Sequence, residues 1–111
     1  MASTDCIVVL VTVGSEEEGE RIAAALVTEH LAACVNLVGP VRSIYWWEGQ
    51  VQREREHLLV IKTRKRLFAK LAARVTALHS YDTPEVIALP ITAGLAAYLD
   101  WLRGATRSQQ G

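Results

Sequence analysis

The sequence predicts an α+β domain: a βαββαβ two-layer sandwich with an extra C-terminal helix and a long hairpin between the second and third strands. Two observations carry this prediction. Apolar β-branched runs alternate with amphipathic helical stretches, and the first run, Cys6–Val13, is apolar at nearly every position, as in a strand buried on both faces. The 111 residues are enough for one domain and too few for two. We expect a single domain over residues 1–111, with flexible ends at 1–4 and 105–111.

The first strand and helix follow directly from local signals. Gly14 ends the apolar run, and residues 15–18 have the S-x-x-E form of a capping box, in which Ser15 begins a helix. Apolar residues between Ile22 and Val27 then recur at helical spacing. The sequence therefore predicts an amphipathic helix packed on the sheet.

A long hairpin comes next. Residues 32–38 form an apolar extended run, and Gly39 and Pro40 should bend or bulge the strand before it continues over 41–47. Glu48 and Gly49 are the best turn candidate, because glycine readily adopts the positive φ of a tight hairpin. Residues 51–63 should return antiparallel, so we expect the tip of the hairpin to project.

The remaining elements are a helix, a short strand and a last helix. Residues 65–79 place apolar side chains at helical spacing, and residues 85–89 read as a strand enclosed by Pro84 and Pro90, as suits a position near a sheet edge. Residues 95–103 form a second amphipathic stretch. The resulting order is the ferredoxin-like split βαβ arrangement with an appended helix.

In this arrangement one face of the sheet is not fully covered by helices. The two main helices pack on one face, yet the first, third and last strands also place apolar side chains on the other. An open face of this kind would exceed the apolar patch that soluble monomers usually expose. We therefore predict self-association. The alternative is that the C-terminal helix folds back and seals the face alone.

Composition and charge argue against several classes of protein. Twelve Lys and Arg balance twelve Asp and Glu, whereas nucleic-acid-binding proteins usually carry a basic excess. We expect no nucleic-acid partner. We also expect no membrane insertion, because no run approaches the roughly 20 apolar residues that cross a bilayer. The start of the sequence lacks the pattern of an export signal, and Cys6 and Cys34 are far apart, so a cytoplasmic protein with reduced thiols is expected.

Short segments spread over nearly the whole chain resemble one family, the CutA-type divalent-cation tolerance proteins. In chain order they are 31–36 (LAACVN), 43–49 (SIYWWEG), 61–63 (IKT), Leu78 and His79 with Tyr81, Pro84 and Glu85, Pro90 and Ile91, and Tyr98 with Trp101. The family often has Pro after the histidine, where this chain has Ser80.

The resemblance implies a tight homotrimer in which hairpin arms and sheet edges pair between neighbouring subunits. It also implies a role in tolerance of copper and other divalent cations, and a likeness to trimeric signalling proteins of the PII type. No established reaction and no organic cofactor come with it. The expected function is that of a trimeric metal tolerance or response protein, a metal- or small-ligand-binding signalling module rather than a catalyst.

Three residues are the candidate ligands for copper or another divalent cation: Cys34, His79 and Glu85. Cys34 matches the cysteine of the family's A-A-C motif, and thiolate suits Cu(I). The alternative is structural, because a lone cysteine on an apolar strand usually packs as a small hydrophobe. His79 matches the histidine of the H-x-Y-x-x-P-E segment, where its imidazole could bind a metal or favour the dipole at a helix C-terminus.

A second set of residues gathers around an intersubunit cleft in the family's fold: Tyr45, Trp47, Lys62, Tyr81, Glu85 and Trp101. Aromatic walls with one Lys and one Glu suit a small anionic or zwitterionic ligand. The tryptophans could equally form the core of a subunit interface, where large aromatic residues are enriched.

Two other functions are alternatives to the binding module. An enzyme acting on a small metabolite in the cleft would use Lys62, Tyr81 and Glu85, yet the sequence contains no nucleophile elbow, phosphate loop, dinucleotide fingerprint or zincin motif. An RNA-binding domain of the same topology would stack bases on aromatic residues in its central strands. Neither Cys6–Val13 nor residues 58–61 contain one.

Overall fold

The computed structural model describes residues 4–107 and confirms the predicted α+β architecture. Its elements are β1 (Cys6–Val13), α1 (Glu16–Thr28), β2 (Cys34–Trp47), β3 (Gln50–Arg64), α2 (Phe68–Leu78), β4 (Ile87–Pro90) and α3 (Ala96–Ala105). In the C-terminal segment 105–111, which the sequence predicts to be flexible, Ala105 is the last residue of α3 and Thr106 is buried. The rest of the expected ends, 1–3 and 108–111, lies outside the described residues.

The four strands form one antiparallel sheet in the order β2-β3-β1-β4. β1 pairs with β3 along its whole length, from Cys6 opposite Arg64 to Val13 opposite His57. Beyond His57 only β2 and β3 remain paired with each other. We call this projecting two-stranded segment, residues 41–56, the arm. β2 and β4 are the two edges of the sheet.

The sequence signals for the hairpin are confirmed. The register of β2 against β3 shifts between Val38 and Val41, which is the irregularity predicted at Gly39 and Pro40. Glu48 and Gly49 form the turn with φ values of 50° and 77°. Two consecutive positive φ values match the right-handed twist of the strands that the turn connects.

Helices α1 and α2 cover one face of the sheet and enclose the main core. Ser15 begins α1 as predicted, since its hydroxyl accepts the backbone N–H of Glu18 at 3.1 Å. Gly19 lets α1 approach the sheet closely: a Cβ added there would lie 2.7 Å from a methyl carbon of Leu37. The core side chains are Ile7, Val9, Val11, Val13, Ile22, Leu26, Ala32, Leu59, Ile61, Leu71 and Val75.

Helix α3 covers only part of the opposite face. Leu99 and Leu102 pack on Cys6 and Ala33, at the end of the sheet where β1 begins. Other apolar side chains stay exposed, among them Val38, Ile87 and Leu89, which are 44%, 50% and 47% exposed. The structure of residues 4–107 therefore leaves the second face partly open, and α3 alone does not seal it. We call this uncovered area the open face.

Several element boundaries differ from the predicted ones, and three of them have a clear local description. The helix expected from residue 65 begins with a 3₁₀ turn, Lys65–Leu67, and neither Arg64 nor Leu67 supplies a side-chain cap. The last strand begins at Ile87 rather than at residue 85, because its ladder with β1 ends where Ile87 pairs with Leu10. Helix α3 extends to Ala105. Among residues 4–107, no helix has both the length and the apolar composition needed to cross a bilayer.

Candidate functional site

Tyr81 and Glu56 form the centre of a polar cluster at the base of the arm. The Tyr81 hydroxyl donates to Glu56 Oε2 at 2.8 Å, and the Glu56 residue is only 6% exposed. Burial, and then the hydrogen bond to Glu56, raise the pKa of Tyr81 far above its usual value. Within residues 4–107, Glu56 has no Lys or Arg partner. Tyr81 is therefore the group that satisfies a buried carboxylate.

Two more predicted residues lie beside this pair. Tyr45 and Trp47 alternate along β2 on the same face of the arm as Glu54 and Glu56. Burial and these two carboxylates raise the pKa of Tyr45. Trp47 and Tyr81, with Asp82 and Thr83, line a cavity of about 250 Å³. Within one subunit, Tyr45, Trp47 and Tyr81 thus lie on one side of the arm in an acidic setting.

His79 is buried beside Tyr81 and uses both of its ring nitrogens inside the chain. Nε2 donates to the Thr12 carbonyl at 2.8 Å, and Nδ1 accepts the Tyr81 N–H at 3.0 Å. The two rings lie 4.5 Å apart. No lone pair of His79 is left for a metal in this arrangement, which favours a structural role for this residue over ligation.

Glu18 and Ser80 form a contact that the sequence did not predict. The capping box pattern pairs Glu18 with the Ser15 backbone, yet in the structure its carboxylate accepts the Ser80 N–H at 2.7 Å and the Ser80 hydroxyl at 3.1 Å. Burial alone would raise the pKa of Glu18, but these hydrogen bonds outweigh it and lower the pKa below its ordinary value of 4.5. Ser80 lies 62 positions from Glu18 in the sequence, so no local signal marks this contact.

A second group of predicted residues lies at the other end of the sheet. Cys34 and Lys62 are directly opposite each other in the β2–β3 ladder, on the side away from α1 and α2. Lys62 Nζ donates to Asn36 Oδ1. Burial, and then the nearby Cys34, raise the pKa of Tyr98. The Tyr98 ring packs 5.4 Å from the ring of Trp101.

The two groups are well separated within one chain. Lys62 pairs with Val8, whereas His79 contacts Thr12 four residues further along β1, or about 13 Å at the usual rise of a strand. Glu85 is exposed just before β4, without a hydrogen bond or ion pair to the rest of 4–107. Over those residues no three His, Cys, Asp or Glu side chains are grouped closely enough to hold a metal ion.

Comparison with known proteins identifies relatives over most of the chain. The family described as CutA1 divalent ion tolerance protein matches residues 7–105. The divalent-cation tolerance protein CutA of Thermus thermophilus is 56% identical over 99 residues, which cover 89% of this chain and 96% of that protein. The chloroplastic CutA 1 of Oryza sativa is 54% identical over 101 residues, covering 91% of this chain and 57% of the rice protein. This chain therefore spans little more than half the length of that plant relative.

Solved structures show the same fold. The Thermus thermophilus divalent cation tolerance protein has a TM-score of 0.90 at 54% identity, with 92% of this chain and 99% of that chain covered. CutA1 from Oryza sativa has a TM-score of 0.91 at 52% identity, and the match covers 95% of this chain and 96% of that chain.

The cytoplasmic location predicted from the sequence is contradicted by these relatives. The rice and Arabidopsis thaliana proteins are named as chloroplastic, and a solved structure from Archaeoglobus fulgidus is described as a periplasmic protein. The prediction failed because a missing local export pattern and two free cysteines do not determine a compartment. The matched family, the relatives and the fold agree along the chain, and the protein belongs to the CutA1 divalent ion tolerance protein family.

Proposed function

We propose that this chain is a divalent-cation tolerance protein that works as a homotrimer and binds copper, or a small ligand, where subunits meet. One observation carries the proposal: the residues predicted to share a site fall into two separate groups within one subunit. Tyr81 contacts the base of the arm, with Tyr45 and Trp47 further along the same face of the arm, whereas Cys34 and Lys62 lie on the open face near the start of β1. A site that uses both groups needs a second subunit.

The free edges of the sheet support a ring of subunits. β2 and β4 are the two opposite edge strands of the sheet. Pairing the β2 edge of one chain with the β4 edge of the next is therefore a head-to-tail contact. Contacts of this kind generate closed rings when the rotation closes. Such a ring would also bury the apolar side chains of the open face, whose exposure in a lone subunit costs hydrophobic free energy. The number three comes from the family resemblance.

Cys34 is the best candidate for the metal ligand. Its thiol is partly accessible on the open face, whereas Cys6 is fully buried. Thiolate is a soft ligand that selects Cu(I). Since one chain does not gather three ligands within residues 4–107, the remaining ligands would come from a neighbouring subunit. A metal held between subunits would change the assembly itself, which suits a binding and response protein better than a catalyst.

Competition titration of the reduced protein with Cu(I) tests this function. We expect Cys34→Ala to weaken Cu(I) binding about tenfold or more, because it removes the thiolate. Cys6→Ala is the matched control, since it removes a buried thiol from the same protein. His79→Gln should lower thermal stability and leave Cu(I) affinity within about twofold of the parent, because both ring nitrogens are used internally. Equal Cu(I) affinity in the parent, Cys34→Ala and Cys6→Ala proteins would refute the assignment.

A further inference from the structure

The arm has one face that neither the metal site nor the cleft uses. Side chains alternate between the two faces of a strand, and residues opposite each other in a ladder share a face. The Glu54 and Glu56 positions therefore lie on the face of Tyr45 and Trp47. The other face, which we call the basic face, comprises Arg42, Ile44, Trp46, Val51, Arg53 and Arg55.

Three arginines are concentrated on this face. Arg42 lies directly opposite Arg55, and Arg53 is two residues from Arg55 on the same strand. Opposed residues of an antiparallel pair have Cβ atoms about 5 Å apart, and like charges placed there destabilise the pair. All three side chains are exposed, and none forms an ion pair or side-chain hydrogen bond with another residue of 4–107. Arg42 and Arg55 are thus opposed like charges, and neither has an ion-pair partner among residues 4–107.

The surface around these arginines is concave. A cavity of about 280 Å³ is lined by Arg42, Ser43, Ile44, Arg53, Glu54 and Arg55. Glu54 is the one acidic residue of this lining, and the ladder assigns its side chain to the opposite face. Trp46 lies on the basic face and is 73% exposed. The concavity therefore carries three arginines, and the accessible aromatic ring lies outside its lining, two residues along β2 from Ile44.

We propose that the basic face of the arm binds a polyphosphate, using Arg42, Arg53 and Arg55. Each guanidinium offers a planar fork of N–H donors that matches the oxygens of a phosphate group. A polyphosphate carries several negative charges over adjacent phosphorus atoms, so it can neutralise opposed arginines at once, which a single carboxylate cannot. The source is either an inorganic polyphosphate or a nucleoside polyphosphate, and in the second case Trp46 offers a surface on which the base stacks.

Calorimetric titration with sodium pyrophosphate tests the proposal, with the full chain in low-salt buffer containing a chelator so that no metal takes part. We expect saturable binding that weakens as salt is added, because charge pairing between exposed groups is screened. Arg42→Gln and Arg55→Gln should each weaken it roughly tenfold through the loss of one bidentate contact. The matched control is Arg21→Gln, which removes an exposed arginine from α1 and should leave the affinity unchanged.

Thermal unfolding of the same proteins gives a second readout. Arg55→Gln should raise the melting temperature without pyrophosphate, because it removes a like-charge contact, and should reduce the rise that pyrophosphate causes in the parent. Comparison of ADP with pyrophosphate identifies the source. A nucleoside ligand is indicated if ADP binds more tightly than pyrophosphate and quenches tryptophan fluorescence, and if Trp46→Leu abolishes that quenching. Equal affinity for the two compounds indicates the inorganic ligand. No saturable binding up to about 1 mM, or equal loss in Arg21→Gln, overturns the proposal.

Discussion

Ser80 holds the carboxylate of Glu18 through its backbone N–H and its hydroxyl, a role that proline could not fill because proline has no N–H. The two hydrogen bonds from Ser80 fix the segment after α2, and they place the buried carboxylate next to His79.

The contact between Glu18 and Ser80 should make stability depend on acid pH. The folded-state pKa of Glu18 is lowered, so the stabilisation is present above the unfolded value of 4.5 and is lost as pH falls through the folded value. Glu18→Gln should cost roughly 1–2 kcal/mol of unfolding free energy near neutral pH, and the deficit should shrink below about pH 4.5. Urea unfolding between about pH 3 and about pH 7 measures this.

Glu17→Gln is the control for that measurement, since Glu17 is the exposed neighbour on the same helix turn. Its deficit should be small at every pH. A Glu18→Gln protein whose stability falls in parallel with the parent as pH is lowered would show that the Ser80 hydrogen bonds do not set the pKa.

Tyr81→Phe tests the second buried carboxylate. The change removes the donor to Glu56 and leaves that carboxylate buried without its partner, so we expect a loss of about 1–3 kcal/mol in unfolding free energy. Tyr98→Phe is the control, because the Tyr98 hydroxyl makes no hydrogen bond to another residue of 4–107 and the residue is 41% exposed. Calorimetric unfolding of the three proteins gives the comparison. Equal stability of Tyr81→Phe and Tyr98→Phe would contradict the role assigned to Tyr81.

At the scale of elements, close approach decides how α1 sits on the sheet. A Cβ at Gly19 would meet a methyl group of Leu37 at 2.7 Å and the fully buried Val13 at 3.1 Å. Gly19→Ala should therefore destabilise the protein by about 1–3 kcal/mol through overpacking, even though alanine is the better helix former. Thermal or urea unfolding measures the change.

Gly104 in α3 is the natural counterpart for this test. Nothing lies within 4 Å of a Cβ added there, so Gly104→Ala should be neutral or stabilising by up to about 1 kcal/mol through helix propensity. The two changes are the same chemically and should differ in sign. If Gly19→Ala also stabilised the protein, the close packing of α1 on β2 would be wrong.

The elements could be predicted from the sequence because each has a local cause. The apolar run Cys6–Val13 and the strand β1 have the same first and last residues. The turn at Glu48 and Gly49 follows from the need for positive φ. The site could be predicted only in part, since it depends on partners distant in sequence. Tyr81 meets Glu56 across 25 positions, and Ser80 meets Glu18 across 62. No periodicity or motif spacing encodes such pairs.

At the scale of the whole molecule, the distribution of apolar surface is the dominant feature. Several large apolar residues away from the basic face of the arm are exposed in the single chain: Leu95 at 75%, Ile87 and Trp101 at 50% each, and Leu89 at 47%. They occupy the edge strand β4 and the segment around α3, which lie outside the main core. This pattern is typical of a subunit whose neighbours complete its core.

The mass of the protein in solution tests this most directly. Light scattering coupled to size exclusion, at micromolar concentration and without added metal, should give three times the 12.2 kDa mass of the chain, because neighbouring subunits cover the open face and the edges of β2 and β4. A well-folded species with the mass of one chain would contradict the account, and the shared binding site would be lost with it.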